Sequence, residues 1–212
     1  MANTSSSPSK KKTTARRRNR PSPRDRLLDA ATKLFTEEGI RVIGIDRILR
    51  EADVAKASLY SLLGSKDNLV IAYLERLDTE YRKRWEERVA GLSEIDDKVL
   101  AFFDMAIDEE PAKDFRGSPF FNAANEYPRP ETESEARIVE TCLNHRAWMH
   151  ATMADLLRRK NGYDSEGEAN QLLIFLDGGL AGARFVRDVS PLETARALAV
   201  DLLGEPPSDY SI

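Results

Sequence analysis

Residues 26–69, RLLDAATKLFTEEGIRVIGIDRILREADVAKASLYSLLGSKDNL, constrain the fold more than any other stretch of the chain. Leu27, Leu28, Ala31, Leu34 and Phe35 recur at the three-and-four spacing of one helical face, and Gly39 ends the run. Ser22 is placed to cap this helix, with Pro23 at its first position and Asp25 in its first turn. A second helix is expected over 45–52, with Ile45, Ile48, Leu49 and Ala52 turned inward. A tight turn at Asp53-Val54 leads into a third helix over about 56–62, and Ser65 caps a long, charge-rich fourth that runs to about Val89. The second and third helices, joined by so short a turn, have the order of a helix–turn–helix.

The remaining chain reads as further helices. Ser93 with Asp96 is expected to start one that ends near Glu110, before Pro111. The loop PAKDFRGSP leads to a short segment, FFNAANEY. Thr132 and Glu135 form a capping box for a helix to about Lys160, with Gly162 just past its end. Another covers about 165–188. Ser190-Pro191-Leu192-Glu193 combines a capping box with proline at the first helical position, which places the start of the last helix. No segment alternates like a strand, so the expected fold is all-α with about nine helices. Its expected parts are a basic, disordered tail over 1–21, a helix–turn–helix domain over 22–70 and a helical bundle over 71–212. The stretch from Gly204, with Pro206-Pro207, is expected to be loose.

Charge follows the same division. The net charge of −4 hides eight positive charges and no acid in residues 1–24, a net −1 in 25–70 and a net −11 in 71–212. A phosphate-binding protein needs its positive charge near the nucleic acid and not elsewhere, so an acidic whole chain is compatible with DNA. The tail reads as an arm able to place arginines in the minor groove. The lone Cys142 excludes an internal disulfide and fits a reducing cytoplasm. No apolar run reaches the ~20 residues that span a bilayer, and MANTSSSPSKKK lacks the apolar stretch of a secretory signal. No membrane association is expected.

The residues Ala30-Ala31, Leu34-Phe35, Gly39, Ile48, Ala52, Val54, Leu59-Tyr60 and Ser65-Lys66-Asp67 resemble the N-terminal domain of the TetR family of bacterial transcription repressors. The resemblance covers about 45 residues in detail and the remainder only in length, helix count and order. It implies a recognition helix ending at Leu59-Tyr60 and a backbone-contacting lysine at Lys66. Three departures from the family pattern stand out. Asp53 stands where the turn glycine is usual, and aspartate tolerates the left-handed conformation. Gly44 replaces a capping hydroxyl, and Ser61-Leu62 replaces an aromatic or basic pair. From the residue chemistry, Lys56, Ser58 and Ser61 are candidates for bases or phosphates, Tyr60 and Lys66 for phosphates, and Arg47 and Ala57 complete the candidate DNA surface.

In the C-terminal half, Gly178, Gly179, Ala181, Gly182 and Ala183 crowd one helix. Each mid-helix glycine costs roughly 1 kcal/mol relative to alanine, which close approach of another helix offsets. With Leu172, Phe175, Leu176, Gly179, Leu180, Ala183, Leu198 and Leu202 the pattern reads as half of a dimeric four-helix interface, the alternative being a crossing within one chain. A ligand cavity is expected from Phe102, Phe103, Phe121, Asn122, Glu126, Tyr127, Cys142, His145, Trp148 and Met149, an aromatic set with a few polar groups. These residues suit a core equally well. No HExxH, paired CxxC, phosphate loop or GxSxG elbow is present, so neither catalysis nor a metal or cofactor is expected. The resulting expectation is a homodimeric, cytoplasmic, ligand-responsive repressor of operator DNA whose effector is a small apolar or aromatic molecule. Two rivals stand beside it: a nonspecific, tail-driven nucleic-acid binder, and an all-α carrier or enzyme with a purely structural N-terminal domain.

Overall fold

The computed structural model describes residues 20–204. Those residues form nine α-helices, one 3₁₀ turn (Pro111–Lys113) and no strand. The helices are α1 Pro23–Glu38, α2 Ile45–Ala52, α3 Lys56–Leu63, α4 Lys66–Val89, α5 Ile95–Glu109, α6 Pro119–Glu126, α7 Glu133–Asn161, α8 Glu166–Val186 and α9 Ser190–Gly204. Apart from Arg20 and Pro21, the expected basic tail lies outside the described residues, as does the segment after Gly204.

Four of the nine helices start on a side-chain cap. Oγ of Ser22 accepts from the Asp25 amide at 3.1 Å and Oγ of Ser65 from the Asn68 amide at 3.1 Å. Thr132 Oγ1 accepts from the Glu135 amide at 3.1 Å, but the capping box is only half made. The Glu135 carboxylate turns instead to the Glu131 amide (2.7 Å) and to Arg41 (3.0 Å). Two starts differ from expectation. Ser93 does not cap α5, because Glu94 occupies the cap position and no side chain accepts there. Helix α9 begins at Ser190 itself, since Asp188 Oδ1 takes the Ser190 amide at 2.8 Å and the Val189 carbonyl opens the helical ladder. Ser190 thereby lies inside the helix and does not serve as its cap.

Two apolar clusters make the core. The first joins α1, α2, Leu59 of α3 and the first part of α4 to Phe120, Ala123 and Tyr127 and to the start of α7 at Ile138 and Cys142. The second joins α5, the later half of α7, α8 and α9. The expected boundary at residue 70 therefore falls inside a continuous helix, because α4 spans it and contributes Leu69 through Leu74 to the first cluster. Helices α4 and α7 are the two struts that run through both clusters.

The glycine-rich helix α8 resolves the choice between the two close-packing alternatives for most of its residues. A Cβ on Gly179 would stand 2.9 Å from Ala195 Cβ and 3.2 Å from Leu192 Cα, and one on Gly182 would stand 2.7 Å from Pro191 Cβ. Those glycines admit α9 of the same chain. Leu172, Leu176, Gly179 and Ala183 are buried in that crossing, and Phe175 and Leu180 pack against the same cluster. Leu172, Leu176, Gly179 and Ala183 are thus covered within one chain, contrary to expectation, while Phe175 and Leu180 remain half-buried. The uncovered face of α8 is instead Ile174, Gly178, Ala181 and Phe185, at i, i+4, i+7 and i+11. Ile174 is 62% exposed and Phe185 is 90% exposed, and a Cβ on Gly178 would meet nothing within 4 Å. On α9, Leu198 is exposed, as expected for an outward face, while Leu202 is half-buried against the second cluster.

Candidate nucleic-acid interface and the cavity behind it

The helix–turn–helix is built around Leu59, which is fully buried against α1, α2 and α4. One buried residue on the short α3 leaves its opposite side free. Lys56, Ala57, Tyr60, Ser61 and Leu62 are exposed there, while Ser58 is half-buried. Ser58 is therefore the least accessible of the candidate base-reading residues on α3. Gly44 and Ala55 precede α2 and α3 without any side-chain cap, so the first-turn amides of both helices lack side-chain acceptors.

Asp53 adopts φ 48° and ψ 56°, the left-handed conformation the turn requires. Arg26 of α1 holds the turn from below, with Nη1 donating to the carbonyls of Ala52 (2.9 Å) and Asp53 (2.7 Å). Arg20 pairs with the Asp53 carboxylate and holds its carboxyl below the usual range. The bracing role of Arg26 escaped the sequence reading, because nothing in its spacing distinguishes it from a surface arginine.

Two of the residues expected on the DNA surface are engaged within the protein. Arg47 forms a paired contact with Glu38, including Nη1 to Oε2 at 2.6 Å, and that hydrogen bond holds the Glu38 carboxyl low. Lys66 Nζ donates to the Ile40 carbonyl at 2.7 Å, beside the Phe35 ring, and burial lowers its pKa. Lys56 lies 3.4 Å from Asp46, an exposed pair of little strength.

Behind this head lies a cavity of about 570 Å³. Its wall draws on the end of α1 and the loop after it, on α4, α5 and α6, and on α7 and α8. Phe35, Tyr73, Leu77, Phe120 and Leu180 supply apolar surface. Of the ten expected lining residues, Asn122, Glu126, His145 and Met149 face it. The other six do not. Phe102 and Phe103 are fully buried in the second cluster, where Phe102 stacks on Trp85 and meets Trp148 edge-on. Tyr127 lies under the Arg41 guanidinium, with burial pushing its phenol to about 12. Cys142 sits in the first cluster, where burial pushes its thiol to about 12, so it stays protonated at neutral pH. Phe121 points outward, and Trp148 packs on the second cluster. Spacing along a helix identified a face, but not which part of that face meets core and which meets empty space.

His145 is held on three sides. Its Nδ1 is 2.7 Å from Asp78, its ring stacks on Phe120 at 3.7 Å, and Tyr81 meets it edge-on at 5.0 Å. Burial lowers its pKa despite the Asp78 carboxylate. The most consequential wall residue is Glu126 at the end of α6. Its carboxylate accepts the amide of Ile40 at 2.9 and 3.0 Å and that of Arg41 at 2.6 Å. Gly39 makes this possible at φ 101°, because a Cβ there would stand 3.2 Å from Glu126 Oε1. One carboxylate thus joins the cavity wall to the loop that leads into α2.

An exposed helix–turn–helix head on an all-helical body, with a cavity between them, defines a DNA-binding regulator. Residues 27–73 match the family model for bacterial regulatory proteins of the tetR family. The chain is 33% identical over 70 residues to the HTH-type transcriptional regulator HbdR of Aromatoleum sp. strain CIB, and 29% identical over 87 residues to the HTH-type transcriptional repressor NemR of Escherichia coli K12. Those matches cover 33% and 41% of this chain, and only 31% and 44% of the two regulators. A solved TetR-family transcriptional regulator from Streptomyces coelicolor is 33% identical, with 85% of this chain and 94% of that one covered and a TM-score of 0.75. Reduced E. coli NemR shares the fold at a TM-score of 0.73 and 23% identity, with 85% and 97% covered. The chain belongs to the TetR family of transcriptional regulators.

Proposed function

We propose that the protein is a cytoplasmic, homodimeric, sequence-specific repressor whose operator affinity is lowered by a small molecule held in the cavity. Residues 22–70 would read DNA, with α3 of each subunit in one major groove of a near-palindromic site. Lys56, Ala57, Tyr60 and Ser61 would face the groove. Arg47 and Lys66 would reach phosphate only by exchanging Glu38 and the Ile40 carbonyl for it. The uncovered α8 stripe, Ile174, Gly178, Ala181 and Phe185, together with Leu198 of α9, would form the dimer face. Exposed apolar surface of that extent is a usual mark of an interface.

The observation that carries this reading is the position of Glu126, which lines the cavity and hydrogen-bonds the Ile40 and Arg41 amides. A molecule in the cavity can therefore act directly on the link between body and head. Its effect is limited to its preference between the two head positions. Binding to duplex from upstream of the protein's own gene, compared with scrambled duplex across a salt series, tests the proposal. A specificity ratio of roughly a thousandfold or more is expected. Equal binding to both, retained in random-site selection, would defeat it and favour the tail-driven alternative.

A further inference from the structure

The charged side chains of the cavity wall differ in how far they are already satisfied. Glu109 receives Arg84 at 3.0 Å and Lys113 at 2.6 Å. Glu38 is paired with Arg47, and Asp177 with Arg146. Glu126 holds two backbone amides, and Glu110, only 1% exposed, accepts the Gly117 amide at 2.9 Å. Arg184 donates to the Asn122 amide oxygen.

Arg116 stands apart. Among the described residues its guanidinium makes no hydrogen bond and no ion pair, and its Nε is buried without an acceptor. Arg26 also carries a buried Nε without an acceptor, but it donates through Nη1 to two carbonyls. The Nε of Arg82 lies 2.8 Å from Asp78 Oδ2. The backbone of Arg116 is fixed, because its carbonyl accepts from Asn122 Nδ2 at 2.8 Å. A buried donor without an acceptor calls for an explanation, and the half-buried residue that carries it lines a cavity whose surface is largely apolar.

We propose that the cavity takes an amphipathic monocarboxylate, with its apolar body between Phe35, Tyr73, Phe120 and Leu180 and its carboxylate paired to Arg116. A planar guanidinium presents a donor fork matched to a carboxylate. The volume of about 570 Å³ lies within the range of small-molecule sites, and the wall's own carboxylates each have their donors. This inference rests on the reading of the cavity as a ligand site.

Calorimetric titration of the full chain with octanoate and 2-naphthoate, against the neutral octanamide and 2-naphthamide, tests it. The carboxylates bind at least tenfold more tightly than their amides. In Arg116→Gln that preference falls to near unity, and Arg116→Lys retains part of it. The melting temperature of Arg116→Gln changes little, because the lost side chain made no hydrogen bond or ion pair and acted on Glu38 and Asp114 only through its charge at a distance. Equal affinity for acid and amide, a preference that survives Arg116→Gln, or no saturable binding of either carboxylate at millimolar concentration would each overturn the assignment. If Arg116-dependent binding is found while saturating carboxylate leaves operator affinity unchanged, the site stands and the effector role of the cavity fails.

Discussion

At the scale of single residues, two positions hold the head in place and a third, in the cavity wall, carries a pH dependence; each is testable. Gly39 has φ 101° and ψ 164°, a region open in practice only to glycine. Gly39→Ala brings Cβ onto Glu126 as well, so a loss of about 1–3 kcal/mol is expected from urea midpoints. Asp53 occupies the left-handed region at the turn. Asp53→Val places a β-branched side chain there and should cost about 1–2 kcal/mol by the same measurement. His145 is buried and its pKa is lowered from 6.5, so the unfolded chain takes up its proton first as pH falls. The stability that burial of the neutral ring confers is therefore complete above about pH 6.5 and declines as pH drops below that value. Asp78 and Arg82 are the charged groups that bear on the ring, the first favouring protonation and the second opposing it. Thermal melts between pH 7.5 and 5.5 should show a decline that is smaller in His145→Phe.

At the scale of elements, α8 has two faces with opposite demands, and the glycines distinguish them. Gly179→Ala forces a methyl against Ala195 and Leu192, an overpacking that costs about 1–3 kcal/mol. Gly178→Ala meets nothing within the chain, so helix propensity alone favours it by about 1 kcal/mol in an isolated subunit. If the outer face of α8 pairs with a second copy, Phe185→Glu should convert dimer to monomer in light scattering without lowering the helix content. An unchanged mass would remove this face from the interface. The glycine cluster was visible in the sequence, but its division between two faces was not. Spacing marks where backbones can approach, and only the position of α9 shows which approach is already made.

At the scale of the whole molecule, charge is segregated: positive at the N-terminus, near neutral in the head and strongly negative in the body. Removing residues 1–19 deletes six lysines and arginines. The slope of log affinity against log salt should fall by about 0.9 for each phosphate that those side chains neutralise, with sequence preference kept. Lys56→Ala should instead relax sequence preference at one position of each half-site, costing about 1–3 kcal/mol there. If Lys66 reaches phosphate, Lys66→Ala should weaken all sequences alike, and by removing its bond to the Ile40 carbonyl it should also loosen the loop, seen as faster amide exchange at Arg41.

The local part of this molecule was determined by the sequence alone. Helix limits from Ser22 to Val89, the left-handed turn at Asp53 and the buried Leu59 follow from capping, backbone sterics and apolar spacing, all set within a few residues. The same reasoning placed α7 closely and missed the starts of α5 and α9 by one residue, where Glu94 rather than Ser93 takes the cap position and Ser190 lies inside its helix. What lay beyond it was every choice among long-range partners. Cys142 and His145 share one helical face, yet the first is sealed in core and the second borders a cavity. Leu176 and Ile174 sit two residues apart, one buried in the second cluster at the edge of the cavity and one uncovered. The links from Arg26 to the turn and from Glu126 to Ile40 join residues 26 and 86 positions apart, and no local pattern encodes such a meeting. Periodicity assigns a side chain to a face, and the packing of helices distant in sequence decides what that face meets.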